Sequence, residues 1–208
     1  MDYSLLFITS ILLFVEVCII IAVSYLIIRK KLLNEVMSKR IRPLHQVGLM
    51  LIFGIISILS SYAGVHVEGA IVNIRVFSPI ISGLTYGPFV GIGVGLIGGI
   101  HRFYLGGPTA IPSALGTILS GVFAGVIYYF SKGKFVHISV AVIFAAAMEL
   151  FDMVLILILT QPYTQAVTIV QAIVVPMVFA VTLGMLLYSF IITKMIERSE
   201  SKINAEIP

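Results

Sequence analysis

Apolar residues fill this chain in blocks far longer than one face of a soluble helix requires. Five blocks, residues 4–28, 47–63, 111–130, 138–160 and 167–193, carry at most two charged residues each. About 20 mostly apolar residues, rising 1.5 Å each, cross the roughly 30 Å of a bilayer's hydrocarbon. Each block therefore predicts a membrane-spanning helix, the second (47–63) being short. A sixth apolar stretch, 77–100, is interrupted by Gly87-Pro88 and reads either as one span or as two short arms.

Charge decides between those readings. Basic residues concentrate in the loops on the cytoplasmic side of membrane proteins. With the N-terminus outside, the loop 29–46 is cytoplasmic and carries Arg29, Lys30, Lys31, Lys39, Arg40 and Arg42. A single span over 77–100 would put Lys132, Lys134, Lys194, Arg198 and Lys202 outside. A hairpin turning at Gly87-Pro88 puts them all inside and leaves Arg75 and Arg102 as the outer basic residues. Proline after glycine also suits a turn between helices better than a helix interior. The expected fold is thus all-α: a polytopic helical bundle of five full spans plus a glycine-rich short-helix hairpin over 76–102. Its N-terminus lies outside and its C-terminus in the cytoplasm. The loop 64–72 is expected to be outer and partly interfacial. Residues 1–195 read as the membrane domain, and 196–208 as the start of a polar cytoplasmic linker.

Each arm, twelve to fourteen residues, is roughly 18–21 Å long, too short to cross. Arg75 and Arg102 should then sit at one level near the outer mouth. Gly91, Gly95 and Gly99 recur at every fourth residue, as do Gly83 and Gly87, and Gly116, Ser120, Ala124 and Gly125 extend the pattern into the next helix. Small residues so spaced let helix backbones approach closely.

Composition agrees with a membrane protein. The 208 residues are 60% hydrophobic and 11% charged, against about 25% charged in soluble domains, and mean hydropathy is +1.14. The pI near 9.2 reflects residues flanking spans, so no nucleic-acid partner is expected. Cys18 is the only cysteine, which excludes a disulfide framework and a cysteine metal site. MDYSLL has neither a basic residue before its apolar run nor a cleavage site, so a retained first helix is expected.

Candidate chemistry centres on Arg75 and Arg102. They read either as headgroup anchors or as an anion site, since two guanidiniums brought together need a counter-charge and their planar forks match a carboxylate. The anion could be an internal acid (Glu16, Glu68, Glu149 or Asp152) or an external ligand. Glu149 and Asp152 share a helix face at i and i+3, where an intramembrane carboxylate is costly and faces the bundle interior. They read equally as structural partners of the arginines or as functional groups. His101, beside Arg102, reads as interfacial, and no metal site or cofactor is expected. Gly106-Gly107-Pro108 breaks the chain before a helix opening near Pro112 and Ser113, whose N–H groups and dipole could favour an anion. No nucleophile–base pair, phosphate loop or other catalytic motif occurs, so the chain is not expected to be an enzyme.

Asn73-Ile74-Arg75, Gly87-Pro88-Phe89-Val90-Gly91, Gly98-Gly99-Ile100-His101-Arg102 and Gly106-Gly107, in that order, resemble the LytS/YhcK-type five-transmembrane receptor domain. Glu149, Pro176 and Gly184 also fit that pattern, whereas Ile74 stands where the family often has Thr and Val181 where it often has Asn. The resemblance implies a multi-pass bacterial plasma-membrane receptor, often a homodimer, feeding a cytoplasmic kinase or cyclase output domain. It also implies a small carboxylate ligand such as pyruvate, links to the cell wall, and a ligand site at Arg75, Arg102 and Ser113, with Asn73 and His101 beside them. The competing readings are a substrate-binding subunit of an energy-coupling-factor vitamin transporter, which also uses broken helices, and a purely structural scaffold.

Overall fold

The computed structural model describes residues 3–28, 33–38 and 41–205. Arg29, Lys30, Lys31, Lys39 and Arg40 of the first loop, and the end of the tail at 206–208, lie outside the described residues. The elements are α1 (Tyr3–Ile27), α2 (Leu33–Met37), α3 (Pro43–Ala63), β1 (Val65–Val67), β2 (Ala70–Val72), α4 (Phe77–Tyr86), α5 (Pro88–Tyr104), α6 (Ala110–Phe130), α7 (Ile138–Leu159) and α8 (Tyr163–Ala205). Five of them, α1, α3, α6, α7 and α8, are long and apolar enough to cross a membrane. The all-α polytopic bundle expected from the sequence is the fold observed.

The short helix α4 is the centre of the bundle, not a rim element. All ten of its residues are buried, among α3, α5, α6, α7 and α8. A wholly enclosed helix can afford no unsatisfied polar group. Accordingly Ser78 donates from Oγ to the Phe53 carbonyl at 2.8 Å, and Ser82 to the Pro79 carbonyl at 3.2 Å.

The hairpin turns where the sequence places it. Gly87 has φ 96°, a region open to glycine and strained for other residues, and Pro88 begins α5 where no backbone donor is needed. Pro88 packs beside Tyr128–Phe130 and Lys132, so the turn lies at the same end of the bundle as the α6–α7 connection. At the opposite end Thr160 Oγ1 donates to the Pro108 carbonyl at 3.2 Å, and Gly69 lies beside Pro108.

Glycine lets α4, α5 and α6 touch through their backbones. A Cβ on Gly91 would lie 2.6 Å from the Gly83 Cα and 2.9 Å from the Gly121 carbonyl oxygen, and one on Gly95 only 3.0 Å from the Thr117 oxygen. The sequence reading differs from the structure in two roles here. Gly87 makes the turn and is not the second member of a packing face. On α6 the glycines that meet the hairpin are Gly121 and Gly125, whereas Gly116 faces Asp152 of α7.

Two further differences concern connections. The stretch 64–72 is a β-hairpin with Val65 opposite Val72 and Val67 opposite Ala70, turning through Glu68 and Gly69, both at positive φ. Two such residues in succession match the right-handed twist of the flanking strands. The short second span, expected over 47–63, gains length at its start and runs from Pro43 to Ala63. Beyond residue 195, α8 continues unbroken to Ala205.

Candidate functional site

The β-hairpin delivers its exit strand into the bundle, so that Asn73, Ile74 and Arg75 arrive buried. Asn73 Oδ1 accepts from the Arg75 backbone N–H and from its Nη1, each at 3.2 Å. Arg75 Nε donates to Thr117 Oγ1 at 2.9 Å, Nη1 also to Ser61 Oγ at 3.3 Å, and Nη2 to the Ser113 carbonyl at 3.3 Å. Four of the five donors of a guanidinium are therefore engaged, all by neutral oxygens. Thr117 in turn donates to the Ser113 carbonyl at 2.7 Å, which fixes its lone pairs toward Arg75.

Arg102 lies in the last turn of α5 and is 0% exposed. Gly106 and Gly107, at φ 71° and 86°, curl the chain back over it. Nη1 donates to the Gly106 carbonyl at 2.6 Å and Nη2 to Thr109 Oγ1 at 2.9 Å. Its Nε has no partner, leaving three of five donors unspent. Both arginines are enclosed, so of the two sequence readings headgroup anchoring does not fit and the anion site stays open.

The internal acids do not close the account. Among the described residues no carboxylate lies within salt-bridge distance of either arginine; the ion pairs found join Arg42 and His45 to Glu35, and Lys194 to Glu197. Asp152 is nonetheless within electrostatic reach of both guanidiniums, and Glu149 within reach of Arg75. Gly116 gives the Asp152 carboxylate its space, one position from Thr117. Both Glu149 oxygens, Asp152 Oδ1 and Asn73 Nδ2 are buried without a hydrogen-bond partner. Buried charged groups left unmatched cost heavily in an apolar interior. This interior holds a set of unspent donors and acceptors around two guanidiniums.

Other expectations are modified. The Ser113 N–H is taken by the Thr109 carbonyl at 3.1 Å and the Ala110 N–H by that of Gly107 at 3.1 Å, so the helix N-terminus offers less to an anion than its sequence implies. Ser113 contributes its carbonyl, to Arg75. His101 turns to α3, its Nε2 sharing a hydrogen bond with Tyr62 at 3.3 Å and its ring 5.1 Å from that of Tyr62. Glu16 accepts from Ser60 Oγ at 2.8 Å and the Ile74 N–H at 3.4 Å, holding the strand that carries Arg75. Glu68 lies exposed in the β-turn, at φ 51°. Ser61, Thr109 and Thr117, which hold the arginines, were not singled out from the sequence. For Ser61 and Thr117 the signal was only a hydroxyl inside an apolar span, which many buried serines and threonines share, and for Thr109 a threonine just before a helix, which is common at helix starts.

A family model described as "5TMR of 5TMR-LYT" matches residues 30–195. The sensor histidine kinase BtsS of Escherichia coli (strain K12) is 32% identical over 184 residues, covering 85% of this chain and 32% of that protein. The sensor protein LytS of Bacillus anthracis is 32% identical over 202 residues, covering 88% of this chain and 33% of its own length. The sensor histidine kinase YpdA of Escherichia coli (strain K12) is 32% identical over 171 residues, covering 81% and 29%. The chain spans about a third of the length of these curated relatives. No solved structure matches it significantly.

Proposed function

Given that the chain belongs to the five-transmembrane receptor family of the LytS type, a multi-pass plasma-membrane sensor domain, we propose that it binds a small extracellular carboxylate such as pyruvate and passes that event to a cytoplasmic kinase or cyclase domain. The observation that carries the reading is Arg102: wholly enclosed, unpaired with any acid among the described residues, and with its Nε unsatisfied. A monocarboxylate would take the free edge of this guanidinium in bidentate fashion. Arg75, held by Asn73, Ser61, Thr117 and the Ser113 carbonyl, would set a positive potential beside it without moving. Serving as a positioning residue suits Asn73, while Asp152 and Glu149 would bias the site against dianions.

Signal transfer needs a ligand to favour one arrangement of helices over another. The element that would carry it is α8, which packs against α1 and α7 and runs on to Ala205. Arg42, Lys132, Lys134 and Lys194 cluster toward the end of the bundle opposite Arg75 and Arg102, which supports an extracellular site and a cytoplasmic exit. Membership of a sensor family favours this reading over the transporter subunit.

The test is thermal stabilisation of the purified chain by a panel of small carboxylates. A ligand at 100 times its Kd stabilises wild type by about 2.7 kcal/mol. Arg102→Ala should abolish the response and Arg102→Lys, which keeps charge but loses the fork, should reduce it. Equal responses from wild type and Arg102→Ala would refute the site. Uptake of labelled ligand into proteoliposomes would favour transport.

A further inference from the structure

Glu16 holds the strand that leads to Arg75, yet it sits at the edge of the bundle rather than inside it. α1 packs against α8 and makes little contact with α3. Between α1 and α3 runs a groove lined by Ile19, Ile20, Ile56, Leu59 and Ser60, together with Glu16. Ile19 and Leu59, 54% and 58% exposed, form its rims, and Ile20 and Ser60, both buried, form its floor. Both helices are long and apolar enough to cross a membrane, so the groove opens on lipid.

An acid beside acyl chains is costly and calls for a partner. Glu16 Oε2 accepts from Ser60 Oγ at 2.8 Å and from the Ile74 N–H at 3.4 Å, both neutral donors. Among the described residues no cation lies within salt-bridge distance of it. Arg75 acts on it only from farther away and spends its own donors on Asn73, Ser61, Thr117 and Ser113. The carboxyl also stands near head-group depth. Ser60 lies three residues from the end of α3 at Ala63, roughly 5 Å along the axis. α1 runs away from that end, since its Ser24 meets Tyr86 beside the Gly87 turn, and helical side chains lean toward their own N-terminus. The Glu16 side chain therefore leans toward the head groups.

We propose that this groove binds a phospholipid with a primary ammonium head group, its ammonium on Glu16 and an acyl chain along Ile19, Ile20 and Ile56. The match is one of charge and of hydrogen bonding together. An ammonium offers three donors to a carboxylate that no cation of the chain reaches, at a depth where the pair is poorly screened. A choline head group carries its charge on a quaternary nitrogen with no N–H, so it cannot donate. A glycerol head group brings no cation at all. The rims open sideways to the bilayer, so the occupant enters from lipid with its chain against the isoleucines. Because Glu16 also holds the Ile74 N–H, an ammonium there bears on the strand one residue before Arg75. This inference is independent of what the arginine site binds.

The test is native mass spectrometry of the full chain released from nanodiscs. These hold phosphatidylethanolamine, phosphatidylcholine and phosphatidylglycerol in equal amounts with the same acyl chains. Wild type should retain the ethanolamine lipid several-fold over the choline lipid. Glu16→Gln keeps an oxygen for Ser60 and the Ile74 N–H but loses the charge, and should bring the two lipids to parity. Leu59→Trp, on an exposed rim, should lower retention of the ethanolamine lipid by filling the groove, whereas Ile143→Trp, exposed on α7, should not. Thermal stability shows whether each variant is folded, and if Glu16→Gln is not, Leu59→Trp decides alone. Equal retention of the ethanolamine and choline lipids by wild type, an unchanged preference in folded Glu16→Gln, or unchanged retention in Leu59→Trp would each overturn the proposal.

Discussion

Gly91→Ala offers a direct reading of how closely the hairpin is held. The added methyl would stand 2.6 Å from the Gly83 Cα and 2.9 Å from the Gly121 oxygen, where carbon contacts normally settle at about 3.5–4.0 Å. Every atom it meets is backbone, so no rotamer change relieves the clash, and α4 or α6 must withdraw by about 1 Å. Overpacking of this kind costs about 1–3 kcal/mol, and the upper end applies because two helices are displaced together. Against that, alanine in a helix gains about 1 kcal/mol over glycine. Gly48→Ala supplies the control, since nothing lies within 4 Å of a Cβ there and only the helix gain remains. The propensity term is common to both variants, so their difference isolates the steric cost, about 3 kcal/mol. Reversible unfolding of the purified chain in mixed micelles measures it. If Gly91→Ala proves as stable as Gly48→Ala, the backbone contact between α4, α5 and α6 is wrong.

Two other outcomes follow from contacts away from the arginines. Tyr188 of α8 reaches across to α4 and α1, its hydroxyl 2.6 Å from Thr85 Oγ1 and 3.4 Å from Ser24 Oγ. Tyr188→Phe should cost about 1–2 kcal/mol in the same unfolding assay, and a neutral result would mean that these hydroxyls do not tie α8 to the centre. In the loop between α1 and α3, a hydrogen bond from His45 holds the Glu35 carboxyl below its ordinary value of 4.5, with the Arg42 backbone and charge adding to it. A lowered folded value means that stabilisation is complete above the ordinary carboxylate range and is lost as pH falls through the lowered value. The protection factor of the Arg42 amide, which corrects for the intrinsic pH dependence of exchange, should therefore fall as pH drops below the ordinary carboxylate range, and Glu35→Gln should remove that fall.

Much of the architecture was legible because its causes are local. Lipid demands long apolar helices, and basic residues mark one side, so five spans and a turn at Gly87-Pro88 could be placed without coordinates. Gly-Pro punctuates a helix wherever it occurs, and the φ of 96° at Gly87 is what that dipeptide predicts. The β-hairpin escaped notice because Glu68-Gly69 is not one of the strong turn pairs and its strands are three residues each.

The arginines divide along the same line. Their presence, their likeness of position on either side of the hairpin and the cost of leaving them uncompensated were all properties of the chain. Which of them is spent was not. Glycine spacing shows that some face packs closely but not which one. Gly121 rather than Gly116 meets α5, because the crossing of two helices is set by everything else they touch. In the same way, only the folded bundle brings Ser61 of α3 and Ser113 and Thr117 of α6 to Arg75 and its neighbour Asn73. That convergence satisfies four of its donors with neutral oxygens and leaves Arg102, held by its own turn through Gly106 and Thr109, with donors to spare. Hydrogen-bond satisfaction is a sum over neighbours in space, and no window along the sequence contains that sum.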